Sequence, residues 1–373
     1  MRTTAVVMTL LMVAPTAPAD EPAFNDRKLS EWVRMLRDDP LPRKRRGAVV
    51  ALGQLAGAGR DAGLTAFQAL GKAVQADASA VVRQQAAEVL GQQKPDDAVV
   101  VVSDLAAAVR AERVPAVRRE VAVALGRFGK LAKVAAGPLT DALSDPDTGV
   151  QAAAADALGR IGPDAATAAP ALVKLVKGQS LPVRQAAVFA LGRVEPEQKE
   201  PVAAALVGVL KEAPEAGLRK EAVVSLGFLG TPSPVVLDAL TAALADKDAE
   251  SRSVVVQTLG RFGPAAKPAS GSLEKLVRTD PDKGVRTQAV RAYCRTAGDA
   301  VAGLIPLLTE RLKQDRDVEV RVAILDELGG LGPSGKAALP ALRVARGDAL
   351  AQVRDAATAA IQQLERPAKS PKK

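Results

Sequence analysis

The chain has 373 residues, of which 48% are apolar, 25% charged and 2% aromatic, with one cysteine, no histidine and a formal charge of +9. That much apolar material excludes wholesale disorder, and the missing histidine excludes His-assisted nucleophiles, His-ligated zinc and a 2-His-1-carboxylate iron site. The lone Cys294 excludes an intrachain disulfide and a cysteine cluster for zinc or iron–sulfur, so no metal and no cofactor is expected.

Residues 1–19 read as a signal peptide. Arg2 precedes the apolar run Ala5 to Ala14, and the small-residue triplet Ala17-Pro18-Ala19 precedes Asp20. Such a run is too short to anchor in a bilayer but suits a secretory leader, so cleavage after Ala19 and export to the periplasm or medium are expected. Residues 20–27 are expected to be a short linker. The first helix then carries Ser30-Glu-Trp-Val-Arg-Met-Leu36, with Trp32 placed to seal the N-terminal end. The run Arg43-Lys-Arg-Arg46 follows and reads mainly as a solvated face.

From here the chain repeats. An arginine followed eight residues later by glycine recurs as Arg45/Gly53, Arg83/Gly91, Arg118/Gly126, Arg184/Gly192, Arg219/Gly227, Arg252/Gly260 and Arg321/Gly329. Gln151/Gly159, Arg286/Cys294 and Arg354/Gln362 are degenerate copies. A fixed period of this length marks a solenoid whose units cannot bury their apolar faces alone. Val183, Ala187 and Leu191 lie at i, i+4 and i+8, one stripe along a helix. The seventh position after the arginine is leucine in most units, as in Leu90, Leu125, Leu158, Leu226 and Leu259. Upstream segments such as Leu237 to Leu244 supply a first helix, giving two helices per unit and an all-α fold over residues 28–365.

Glycine inside a helix costs about 1 kcal/mol against alanine, so its recurrence implies that a neighbouring helix approaches closely there. A second glycine at 129, 162, 230, 263 and 332 fits a left-handed residue ending the helix, with Pro163, Pro264 and Pro333 following. Six residues before the arginine stands an acid: Asp39, Asp77, Glu112, Asp145, Asp246, Asp280, Asp315 and Asp348. A cation in a first helical turn is opposed by the macrodipole and needs a partner. Each turn carboxylate is therefore expected to cap the second helix and to accept from the guanidinium of its own or the adjacent unit. The resulting structural ladder is Asp39, Arg45, Asp77, Arg83, Arg118, Arg184, Arg219, Asp246, Arg252, Asp280, Arg286, Asp315, Arg321, Asp348 and Arg354, with Arg252 expected to pair with Asp246.

At these residues the chain resembles the HEAT repeat family, in which a first-helix proline, a turn aspartate and a second-helix arginine recur. Pro340, Asp348 and Arg354 show the pattern complete; Pro170 and Arg184 show it with Gly178 in place of the acid. Endings such as Leu158-Gly-Arg-Ile-Gly-Pro163 resemble the bilin-lyase-type HEAT-like subset. The resemblance implies a right-handed α-solenoid of about ten units, with the second helices lining the concave side.

Positions one, five and nine after each ladder arginine are then expected on that side. There Arg127, Arg160, Arg193, Arg261 and Arg295 form a basic row, with Phe189 and Phe228 as apolar anchors. Arginine near a helix C-terminus also complements the macrodipole, and both phenylalanines also suit a core. The favoured function is an exported, non-catalytic scaffold binding a protein segment or an anionic polymer. Alternatives are a member or accessory subunit of a HEAT-like enzyme system, lyase- or hydroxylase-related, and a nucleic-acid binder. The hydroxylase relatives require His-Glu iron ligands, which this chain cannot supply.

Arg2 contributes one positive charge and the tail 366–373 four, so only +4 remains on the body. That balance and the shortage of aromatics for base stacking disfavour nucleic acid. The tail, Arg-Pro-Ala-Lys-Ser-Pro-Lys-Lys, has no apolar period and is expected to be disordered. No membrane span is expected after leader cleavage. Paired carboxylates such as Asp38-Asp39, Asp96-Asp97 and Asp145/Asp147 fall in turns and read as caps, and Cys294 reads as a small hydrophobe.

Overall fold

A computed structural model describes residues 21–366; the expected leader 1–19 and the tail from residue 367 onward lie outside the described residues. Local sequence sets the helix starts. Pro42, Pro115 and Pro182 sit in first turns, where a missing N–H costs nothing. Asp147, Asp248 and Asp282 accept from the amides of Val150, Ser251 and Val285, satisfying donors that a helix start leaves open.

Ten helix pairs follow. Repeats 1 to 5 are Leu29–Asp38 with Pro42–Leu55, Arg60–Ala76 with Ala80–Gly91, Val102–Ala111 with Pro115–Phe128, Ala136–Ala142 with Thr148–Ile161, and Ala169–Leu175 with Leu181–Leu191. Repeats 6 to 10 are Lys199–Glu212 with Ala216–Leu229, Pro234–Ala243 with Ala249–Phe262, Ser270–Thr279 with Lys283–Ala297, Ile305–Gln314 with Val318–Gly330, and Leu339–Ala345 with Ala351–Glu365. A short helix, Pro95–Ala98, leads into repeat 3, and 3-10 turns such as Gly162–Ala168 join several repeats. The fold is an all-α solenoid. No described helix is long and apolar enough to cross a membrane.

The segment expected as a linker instead forms a small hairpin. Ala23–Phe24 pairs antiparallel with Arg27–Lys28, turning through Asn25 and Asp26, which both have positive φ, as a two-residue hairpin turn requires. The buried Trp32 donates its indole N–H to the Phe24 carbonyl at 3.0 Å, and the Arg27 guanidinium lies 5.2 Å from its ring centre. The hairpin thus packs against the first helix at the N-terminal end of the stack.

One continuous core runs the length of the chain. Leu52, Leu90, Leu125, Leu158, Leu191, Leu226, Leu259 and Leu328 are all buried, stacking the leucine stripe from unit to unit. Beside it, each second helix meets the next along a seam of small residues. A Cβ placed on Gly192 would lie 2.7 Å from the Cα of Ser225, a distance no side chain tolerates. Ser225 in turn donates to the Val188 carbonyl at 2.8 Å, tying the two helices at their closest approach. The second helices pack together more closely than the first helices do.

The glycine that closes a second helix differs from expectation in one respect. Gly162 has positive φ (79°), but its ψ is −136°, outside the left-handed helical region. Gly129, followed by Lys130, takes the same conformation (φ 53°, ψ −129°), so the proline after Gly162 is not its cause. Only glycine occupies this region readily. Gly230, followed by Thr231, takes the left-handed helical conformation (φ 68°, ψ 32°).

Candidate functional site

The turn acid and the second-helix arginine pair across repeats rather than within them, in two runs that flank the centre of the stack. Arg45 donates from Nε and Nη2 to both carboxylate oxygens of Asp77 at 2.7 and 2.8 Å, and from Nη1 to the carbonyl of Asp39. Arg83 repeats this with Glu112, Arg118 with Asp145, Arg252 with Asp280 and Arg286 with Asp315. Arg252 therefore does not pair with the Asp246 carboxylate as the sequence led us to expect. It takes only the Asp246 backbone carbonyl, at 2.8 Å, while the Asp246 carboxylate stands 3.5 Å from Arg219. The reason is reach. An arginine in the first turn of a second helix points back to the carbonyl that closes its own turn, and its free fork then faces the next repeat's turn.

Each rung has a second duty. The carboxylate also accepts from the amide two residues on, as Asp77 does from Ser79 and Asp280 from Asp282, fixing the turn. The acid at that second position is often the helix N-cap, which explains pairs such as Asp145/Asp147 and Asp280/Asp282. At the ends the ladder stops: Asp39 accepts from Leu41 and pairs with Lys44, and Arg354 donates to the carbonyls of Asp348 and Ala349. Arg321 reaches Asp348 at 3.3 Å. Burial alone would raise the Asp315 carboxyl, but hydrogen bonds from Arg286, Arg311 and the Asp317 amide outweigh it and hold it below the ordinary carboxylate range. Burial is likewise outweighed at Asp145 by Arg118 and the Asp147 amide, and at Glu112 by Arg83 and the Val114 amide. Arg311 joins the ladder from an offset that the repeat pattern does not mark, whereas Asp317 stands at the same N-cap position as Asp147 and Asp282.

The basic row lies along the second helices. Arg127, Arg160, Arg261 and Arg295 are exposed and Arg193 half-buried. Their stems cover the glycine seam: the Cδ of Arg127 lies over Gly91 and that of Arg160 over Gly126. Arg160 pairs with Asp156 at 2.6 Å and Arg193 with Glu221 at 3.4 Å, whereas Arg127, Arg261 and Arg295 make no ion pair among the described residues. Phe189 is half-buried, its ring filling the space above Gly159. Phe228 is 48% exposed, with the Arg193 and Arg261 guanidinium carbons each 4.8 Å from its ring centre. The structure thus brings three row residues together as a stacked cation–aromatic–cation unit.

Cys294 and Tyr293, on the second helix of repeat 8, are both buried. Burial pushes the Cys294 thiol up to about 12, with Glu327 adding to the shift, so it stays protonated at neutral pH. Burial, followed by the hydrogen bond to Glu274, also raises the Tyr293 hydroxyl to about 12. Among the described residues no group of three His, Cys, Asp or Glu is placed to hold a metal.

A family model described as HEAT repeats matches residues 67–141, 102–192, 136–227 and 203–294, together more than half of the chain. No curated protein matches in sequence. Among solved structures, an engineered protein of the Northeast Structural Genomics Consortium is similar over 91% of this chain and 99% of its own, with TM-score 0.58 and 20% identity. A chain from the structure of Kap95p with RanGDP is similar over 90% of this chain and 51% of its own, with TM-score 0.57 and 14% identity. This chain spans about half the length of that second one. At such identities the likeness is one of fold.

Proposed function

The chain belongs to the HEAT-repeat family, and from that premise we propose that it is a non-catalytic scaffold capturing an acidic segment of a partner protein on its second-helix face. The observation that carries this reading is the exposed Phe228 held between Arg193 and Arg261, in a row continued by Arg127, Arg160 and Arg295. An aromatic anchor rimmed by arginines suits an acidic chain bearing apolar side chains. The similar chain from the Kap95p–RanGDP structure belongs to a protein–protein assembly, in keeping with a protein partner here. An anionic polymer is the second occupant the charge would admit. The leader-like residues 1–19 place this scaffold outside the cytoplasm in our reading, and the Leu-Gly-Arg-Ile-Gly-Pro endings align it with the bilin-lyase-type subset.

The test exploits Arg127 and Arg261, which hold no ion pair among the described residues; reversing Arg261 also removes one of the two guanidinium groups stacked on Phe228. A fluorescent peptide alternating glutamate and leucine is titrated against the wild type and Arg127→Glu/Arg261→Glu, with dextran sulfate as the polymer arm. The peptide should bind the wild type, weaken as salt rises and bind the folded double variant at least about tenfold more weakly. Equal capture by both proteins would remove this face as the site, and capture of dextran sulfate alone would reassign the occupant.

A further inference from the structure

The ladder is broken at its centre, and the break has a particular form. In repeat 4 glutamine replaces the arginine: Gln151 keeps the bond to its own turn carbonyl, that of Asp145, at 2.7 Å. The acid it would have met in repeat 5 is Gly178, so arginine and acid are lost together and no charge is stranded. One repeat further on, only half of the rung is lost. Arg184 is present, but Ala213 stands where its carboxylate partner belongs.

The turn backbone there is the same as at the intact rungs. Ala213 has φ −69° and ψ 127°, against −63° and 131° at Asp280 and −73° and 133° at Glu112. Among the described residues the Arg184 guanidinium makes one hydrogen bond, from Nη1 to Glu215 Oε1 at 3.2 Å. The bidentate pair seen at Arg118 and Arg252 is absent. Glu215, two positions beyond the ladder site, is a poor substitute, and its other oxygen is buried without a partner.

A cleft opens at this point between the first helices of repeats 5 and 6. It is a groove of about 730 Å³, open to solvent, with Val173, Val176, Pro201 and Val209 on its walls and Arg184 and Ala213 among its lining. The corresponding cleft between repeats 2 and 3, where Glu112 occupies the guanidinium of Arg83, measures about 370 Å³. Loss of the acid thus coincides with a larger space in which an arginine fork has lost its usual partner. The volume lies in the range of small-molecule sites.

We propose that this cleft binds a small carboxylic acid with an apolar body. Its carboxylate takes the place on Arg184 that the ladder acid fills elsewhere, and its body lies against the valine and proline walls. Lys177 also lines the cleft, while Glu212 lines it too and Glu215 touches Arg184. Two cations balanced by two acids favour a monoanion over a more highly charged ligand.

The experiment titrates hexanoate against the full chain by calorimetry, with hexanol as the uncharged control, and repeats both on Ala213→Asp and Arg184→Gln. Because charge-assisted hydrogen bonds dominate, hexanoate should bind at least about tenfold more tightly than hexanol and lose that advantage in Arg184→Gln. Ala213→Asp, which restores the missing rung, should compete intramolecularly and abolish hexanoate binding while raising the unfolding midpoint. Equal binding of hexanoate and hexanol overturns the proposal, as does undiminished hexanoate binding by Ala213→Asp or by Arg184→Gln. Saturation by the glutamate–leucine peptide at this cleft without any by hexanoate overturns it equally. Arg127→Glu/Arg261→Glu should bind hexanoate normally, which separates this site from the second-helix face.

Discussion

Replacing Arg252 by alanine removes the guanidinium from a rung whose aspartate side chain is only 2% exposed. Two charge-assisted bonds to Asp280, both at 2.8 Å, vanish together with those to the carbonyls of Asp246 and Lys247. Stranding one member of a buried pair costs about 3–5 kcal/mol, and Asp280→Ala should cost a similar amount. Asp246→Ala is a different matter. Its carboxylate faces Arg219 at 3.5 Å with about a quarter of both side chains exposed, a pair worth about 1 kcal/mol or less. Its bond to the Asp248 amide adds roughly another 1 kcal/mol. Urea unfolding of the single and double variants at neutral pH supplies a double-mutant cycle for each pair. Arg252 with Asp280 should couple by about 2 kcal/mol or more, and Arg252 with Asp246 by close to zero. Coupling to Asp246 equal to or above that to Asp280 would refute cross-repeat pairing as the source of the ladder's strength.

Gly192→Ala should destabilise by about 1–3 kcal/mol because the new Cβ meets the Ser225 backbone. Gly47→Ala, with nothing within 4 Å, should instead stabilise by up to about 1 kcal/mol; thermal unfolding of both variants checks the contrast. Because the Glu112, Asp145 and Asp315 carboxyls are held below their unfolded values, their contribution is fully present above about pH 5 and is lost as pH falls through and below about 4. A urea midpoint that stays level between pH 7 and pH 3 would contradict this. Cys294, buried and with its thiol raised to about 12, should react with a thiol reagent at neutral pH only on unfolding, so rapid labelling of the native chain would count against its placement.

The glycine seam and the ladder play different parts in presenting the proposed face. Glycine seams let the second helices close up, and this brings Phe228 within reach of arginines from the repeats on either side. The ladder lies in the turns, where it sets the register of one repeat on the next without occupying that face. Along that row arginine recurs at 127, 160, 193, 261 and 295, with Phe228 at the remaining position.

The repeat length, the helical period and the position of each leucine, glycine, acid and arginine within a unit are all carried by local sequence. They recur at fixed offsets, and a helix of fixed pitch converts an offset into a face. The solenoid and its core were therefore legible residue by residue, down to Leu158 on the stripe and Gly159 on the seam. The partner of each arginine was not. Arg252 stands six residues from Asp246 and twenty-eight from Asp280, and only the spacing of one repeat upon the next places the distant carboxylate in front of the fork. The same holds for the exposure of Phe228 against the half-burial of Phe189, and for the space left where Ala213 withdraws a carboxylate from Arg184. Sequence offsets set which way a side chain leaves its own helix, but what it meets there depends on how closely the neighbouring repeat approaches, and that is fixed by packing.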